Sequence, residues 1–243
     1  MKLVFILPIY LIFIISSCGN QPPKEQEETK EIVLEVIETK PYDTLKAEII
    51  AKREEYRKAY NRFNKDLIKK DSILAEAQNY LLDVADEYFR AWYGTPWTFE
   101  GHTQTPKEGT IACGYFVTTT LRDMGFNSPR IKWAQQTSAY MIDKLTTDIK
   151  RFHNVPIKEI EEYITEKGEG LYIVGLDNHV GYIYYHKGEM NFVHSSYYYP
   201  KIGVMSEPLA GHNPLNASKG KMIGKIFDKE MVRNWVLNTP YPA

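Results

Sequence analysis

Cysteine is nearly missing from this chain of 243 residues, which contains only Cys18 and Cys113. Two thiols cannot build the disulfide framework of a small secreted scaffold. An excess of either charge is also missing: 30 Lys and Arg stand against 31 Asp and Glu, for a formal net charge of -1. The basic residues are interleaved with acidic ones and form no aromatic-studded stripe, so there is no electrostatic case for nucleic acid. No CxxC or HxxxH spacing occurs. A metal site built on Cys113 and two histidines would need a fourth ligand or an open water position, so no metal or cofactor is expected. What remains is a globular composition, 43% apolar and 13% aromatic, long enough for one domain with an appendage.

The first residues read as an export signal. Lys2 supplies the positive start, and the apolar run Leu3 to Ile15 is too short to span a bilayer comfortably. Ile15-Ser16-Ser17-Cys18 resembles the bacterial lipobox, in which the signal is cut before a lipidated cysteine. The expectation is a signal peptide over 1–17 and a lipid anchor on Cys18. Several acyl chains hold a protein at a membrane where one would not. Residues 18–43 are polar, charged and poor in aromatics, as a tether is. The expected location is the cell envelope, on a bacterial membrane.

From Thr44 an amphipathic pattern begins, with Ile49, Tyr56 and Phe63 seven residues apart and Leu45, Tyr60, Leu67 and Leu74 on the same face. It predicts a helix over 44–75, packed on its own domain or, as the alternative, self-associating as a short coiled coil. A further helix is expected from Ile73 to Trp92, leading into a domain over 76–243.

With Cys18 consumed by lipidation, Cys113 is an unpaired thiol in an exported protein. Thr110 is expected to cap a helix that holds Cys113 in its first turn, followed by the apolar run Phe116-Val117. Free N–H groups and the helix dipole at that place stabilise a thiolate, so the sulfur is expected to be acidic and nucleophilic.

Gly94-Thr95-Pro96-Trp97-Thr98-Phe99-Glu100-Gly101 precedes this stretch, then come Ala112-Cys113-Gly114-Tyr115-Phe116-Val117 and, twelve residues after the cysteine, Gly125. This frame resembles the NlpC family of cell-wall cysteine peptidases. There a Gly-Thr-Pro-Tyr-x-Tyr-Gly-Gly segment precedes an Asp-Cys-Ser-Gly-Phe-Val motif, and a glycine follows the cysteine by twelve. Here Ala112 stands in the place of the Asp, and Gly114-Tyr115 in that of Ser-Gly. The resemblance implies a papain-like α+β fold and places Trp97 where the family has a tyrosine lining the substrate site. Residues 126–168 form an insertion relative to that family, with a helix through Tyr140, Met141 and Leu145 and another from Ile157 towards Gly168.

The second anchor is a pair of β-rich runs around His179-Val180-Gly181-Tyr182-Ile183-Tyr184 and Phe192-Val193-His194-Ser195. A hairpin turning on Lys187-Gly188 would pair residues whose numbers sum to 375. His179, Gly181 and His194 then share one sheet face, with the two histidines as diagonal neighbours. A thiol nucleophile needs one imidazole as base and a third polar group to orient it. The resemblance implies the same assignment: Cys113 nucleophile, His179 base, His194 orienting residue. Asp177 is the rival for the third role. The implied reaction is hydrolysis of amide bonds in peptidoglycan peptides through a thioester. Its alternatives are a papain-like amidase or acyltransferase on another substrate, or a lipoprotein that binds cell-wall peptides without turnover.

Overall fold

The computed structural model describes residues 40–63 and 65–242. The expected signal peptide, the lipidated Cys18 and the tether up to residue 39 lie outside the described residues. Among those described, no helix is long and apolar enough to cross a membrane.

The amphipathic pattern forms α1 (Tyr42–Arg62), entered from Pro41, and α2 (Leu67–Trp92). The single helix expected over 44–75 is therefore divided. α1 ends at Arg62 with Phe63 as its cap, and Asp66, in an extended conformation, starts a new helix by accepting from the Lys69 N–H with its side chain. The apolar stripe divides with it. Leu45, Ile49 and Leu74 are buried, and Tyr56 and Tyr60 pack on the same core. Leu67, by contrast, is 72% exposed.

Polar side chains also tie α1 to the rest of the fold. The Tyr42 hydroxyl accepts from Trp92 Nε1 and donates to Asp123 at 2.8 Å. Buried Arg53 donates to the Gly125 carbonyl at 2.7 Å and to Asn238 Oδ1 at 3.0 Å. Both contacts hold the far end of α3 (Cys113–Asp123), the helix that begins at the thiol.

After α3 come two short helices, α4 (Arg130–Ala134) and α5 (Ser138–Leu145), the latter capped by Thr137. Next are the edge strand β1 (Ile149–His153) and α6 (Ile157–Lys167), which ends at Gly168 with φ 83°. The two longer helices match the expected pattern. The strand β1 does not, because its side chains alternate poorly between core and solvent. The central strands are β2 (Gly170–Leu176), β3 (Val180–His186) and β4 (Glu189–Ser195). Then follow β5 (Val204–Pro208), α7 (Pro214–Ala217), β6 (Gly220–Ile226) and α8 (Lys229–Leu237), capped by Asp228.

The six strands form one sheet in the order β1-β6-β2-β3-β4-β5, antiparallel at every neighbour. The architecture is thus α+β. The β3–β4 hairpin pairs Tyr182 with Val193 and His186 with Glu189, which is the register that sums to 375. Lys187 (φ 52°) and Gly188 (φ 79°) both have positive φ, the signature of a two-residue turn whose twist suits the strands.

Strand alternation sends Tyr182 to one face and Ile183 to the other. On the first face Tyr182 packs with Phe116, Val117 and Leu121 of α3, and its hydroxyl donates to the Val117 carbonyl at 2.9 Å. On the second, Ile183 and Phe192 pack with Ile160 and Ile164 of α6. Past β5 the chain closes on the loop after α2. Gly94 N–H donates to the Val204 carbonyl, Val204 N–H to the Thr95 carbonyl, and Trp97 N–H to the Pro200 carbonyl.

Candidate active site

Cys113 is the first residue of α3, as its first-turn assignment requires, but Thr110 is not the cap. The chain runs extended through Thr110 and Ile111, with the Thr103 N–H donating to the Thr110 carbonyl and a bridge between His102 and Ile111. Ala112 occupies the cap position with no side-chain acceptor to offer. Ser195, on the β4 face towards α3, donates to the Ile111 carbonyl at 2.7 Å and pins the start of the helix to the sheet.

The sulfur is partly buried. It lies in a cleft of about 330 Å³ lined by Cys113 and Gly114, by 134–141 of the α4–α5 region, and by the Leu176–Val180 loop that includes His179. Burial pushes the Cys113 thiol up, against the acidic direction expected from its place in the helix. The N–H groups of Val180, Gly114 and Cys113 itself pull it back only in part. Desolvation of the thiolate outweighs the helix terminus.

Gly181 and His194 face one another in the continued β3–β4 register. The expected diagonal pair is formed: His179 Nε2 lies 2.8 Å from His194 Nδ1, with the rings at 89° and their centroids 4.9 Å apart. Both rings are buried. Burial holds His179 well below the ordinary value of 6.5, helped by the neighbouring His194, and carries His194 down to about 3. The other nitrogen of His179, Nδ1, is buried and has no hydrogen-bond partner. Orphaned buried nitrogens of this kind are uncommon and mark places where a further group belongs.

A residue that sequence reasoning missed completes the row. Glu207 Oε1 lies 2.7 Å from His194 Nε2, and burial raises its carboxyl to about 7. The signal was hidden because Glu207 becomes a neighbour of His194 only through β5, a five-residue strand with weak alternation. Tyr197 was also overlooked; its ring stands 5.3 Å from that of His179.

Two other candidates are placed elsewhere. Asp177 accepts from the N–H groups of Lys219 and Gly220 at 2.8 and 3.1 Å, so its carboxylate is spent on the start of β6. The Trp97 ring lies 6.0 Å from that of Tyr197, tilted at 50° and one ring removed from His179, and does not line the cleft of Cys113. His153 is exposed at the end of β1.

Packing of α4 requires a glycine at position 114. A Cβ there would lie 2.8 Å from the Ala134 carbonyl oxygen, so α4 can close over the first turn of α3 only because this residue is glycine. Arg130 of α4 secures that closure. Its guanidinium donates to Thr119 Oγ1 and to the His102 and Thr103 carbonyls, and lies over the Tyr115 ring.

A larger cleft of about 480 Å³ lies beside His186, but its lining includes no thiol. Of its acids, Asp86 pairs with Arg90, while Asp83 pairs with His186 and Lys187. Among the described residues no three His, Cys, Asp or Glu side chains converge as metal ligands. No family model, curated protein or solved structure matches this chain.

Proposed function

We propose that this chain is a lipid-anchored cysteine peptidase or amidase of papain-like, NlpC-like design that hydrolyses amide bonds in peptidoglycan peptides. The observation that carries the reading is the shared cleft of Cys113 and His179, with His194 hydrogen-bonded behind His179. Substrate class and membrane anchor rest on the sequence resemblances.

The acidities of the two groups favour a neutral resting pair over a preformed thiolate–imidazolium pair. The thiol is raised and His179 is lowered. Proton transfer then accompanies attack. The Cys113 thiol gives its proton to Nδ1 of His179 as sulfur bonds to the substrate carbonyl carbon, and the carbonyl π pair moves to oxygen. The uncapped first turn of α3 leaves N–H groups of Cys113 and Gly114 at the sulfur, where they are placed to receive that oxyanion. Collapse of the intermediate breaks the C–N bond, and the leaving amine takes the proton from His179. Water, deprotonated by the same imidazole, then releases the acid and restores the thiol.

One observation favours a second reading, a lipoprotein that binds cell-wall peptides without cutting them: the raised thiol. Incubating the full chain and Cys113→Ala with purified peptidoglycan, followed by mass spectrometry of released fragments, separates the two. Fragments lost in the variant establish the hydrolase and identify the bond. No release by either form, with both retaining affinity for the sacculus, establishes the binding protein.

A further inference from the structure

Glu207, His194 and His179 form a row with spacings of 2.7 and 2.8 Å that ends at the unpartnered Nδ1 of His179. A neutral imidazole has one N–H and one lone pair, so each contact fixes the next. A carboxylate can only accept. His194 must then carry its proton on Nε2, and its Nδ1 is a lone pair. His179 must donate to that lone pair from Nε2, which leaves its own Nδ1 bare. With the proton on Oε1 of Glu207 every donor reverses. The acid donates to His194 Nε2, His194 donates from Nδ1 to His179 Nε2, and His179 carries its proton on Nδ1.

We infer that Glu207 is the positioning residue that selects the tautomer of both histidines, and so decides whether His179 presents a lone pair or a proton at Nδ1. This deepens the hydrolase reading and rests on it, because only a thiol-activating His179 makes that choice matter for catalysis. Both histidines stay neutral in either state, since burial disfavours imidazolium at each ring, and only Glu207 changes charge. The proton shared with Glu207 therefore resides on the carboxyl.

The surroundings leave Glu207 few competitors. From β4 it faces His194. The other charged influence on it is His212, in the loop after β5, which lowers its affinity for a proton. Around His179 the titratable neighbours are Cys113 across the cleft and Tyr197, while Asp177 is occupied by backbone N–H groups. The apolar neighbour Phe192 supplies no proton. Phe192 stacks on His194 at 4.1 Å and holds that ring in the row.

The deciding experiment follows histidine tautomers directly. The full chain, labelled with 15N at histidine, is titrated from pH 8.5 to 5.5 by NMR. Its signals are assigned with His179→Gln and His194→Gln. Both rings should begin with the proton on Nε2 and pass together to Nδ1–H with one midpoint. In Glu207→Gln that shared midpoint should vanish, whichever way the amide faces. Tautomers that do not change in the natural chain, imidazolium signals from either ring, or a midpoint surviving in Glu207→Gln each overturn the inference. The natural chain alone decides the first two, so a variant that fails to fold cannot rescue it.

Peptide hydrolysis tells the two readings apart. In the natural chain kcat/KM should fall about tenfold per pH unit below the tautomer midpoint, and Glu207→Gln should lose that limb. A tautomer switch without turnover supports the relay and removes the hydrolase. Turnover with the same pH profile in both chains removes the relay and leaves the hydrolase.

Discussion

Gly181 and His194 approach so closely across the β3–β4 ladder that a Cβ on Gly181 would lie 2.8 Å from the His194 Cβ and 2.8 Å from the Phe192 ring. The missing side chain is what lets the His194 ring stand beside Phe192 and reach His179. Gly181→Ala should displace His194, cost about 1–3 kcal/mol of stability through overpacking, and lower peptide hydrolysis by more than tenfold. Urea unfolding and kcat/KM measure the two effects. Full activity in a destabilised variant would mean that His194 is not needed where it stands.

Reactivity of the thiol has a clear direction. Because burial raises Cys113, its alkylation by iodoacetamide should reach half-maximal rate above the ordinary cysteine midpoint of about 8.5. Mass spectrometry of the Cys113 peptide separates this site from Cys18. A midpoint well below 8.5 would restore the preformed thiolate that the helix terminus alone suggests.

Stability should carry the imprint of the buried histidines. Between pH 5 and 6 unfolded histidine is protonated, whereas His179 and His194 are held neutral in the fold. Unfolding therefore takes up two protons at these sites, and their contribution is lost as pH falls below 6.5. Glu207 works in the opposite sense: raised from 4.5 to about 7, it keeps a proton in the fold that the unfolded chain releases. From these three groups the natural chain should gain about 1.4 kcal/mol per pH unit through this window, the value for one net proton. In Glu207→Gln the slope should correspond to two protons. Urea titrations at pH 5.0, 5.5 and 6.0 give both slopes, and equal slopes would contradict the assignment.

A serine at position 114 should harm this protein. A side chain there meets the Ala134 carbonyl at 2.8 Å, so Gly114→Ser must push α4 off the first turn of α3. The expected cost is about 1–3 kcal/mol, with faster amide exchange in 130–134. An unchanged melting temperature and exchange pattern would show that α4 is not seated on the nucleophile helix.

The hairpin was legible because Lys187-Gly188 is a local signal strong enough to set the register, and the register alone brings His179 and His194 together. Helices α5 and α6 were legible from apolar spacing and from breakers that act within a few residues, such as Gly168. The division between α1 and α2 was not, because Leu67 continues the heptad spacing and only the tertiary fold shows that it faces solvent. Strands β1 and β5 take their identity from their neighbours rather than from alternation, and Glu207 was lost with β5. The direction of the Cys113 shift was misread for a related reason. Helix position can be read from sequence, whereas desolvation depends on how α4 and α5 close the cleft.

The loop that follows α2 has a consequence for how this molecule meets its own copies. Along β5 the outward-pointing N–H groups belong to alternate residues, Val204, Ser206 and Pro208. The first is taken by the Thr95 carbonyl, and proline has none. Only Ser206 is left to recruit an incoming strand. At the opposite border β1 carries Lys150 and Arg151, charges that make a second sheet a poor neighbour. One border is blocked by backbone and the other by charge, so crowding should not drive this sheet to extend into fibrils.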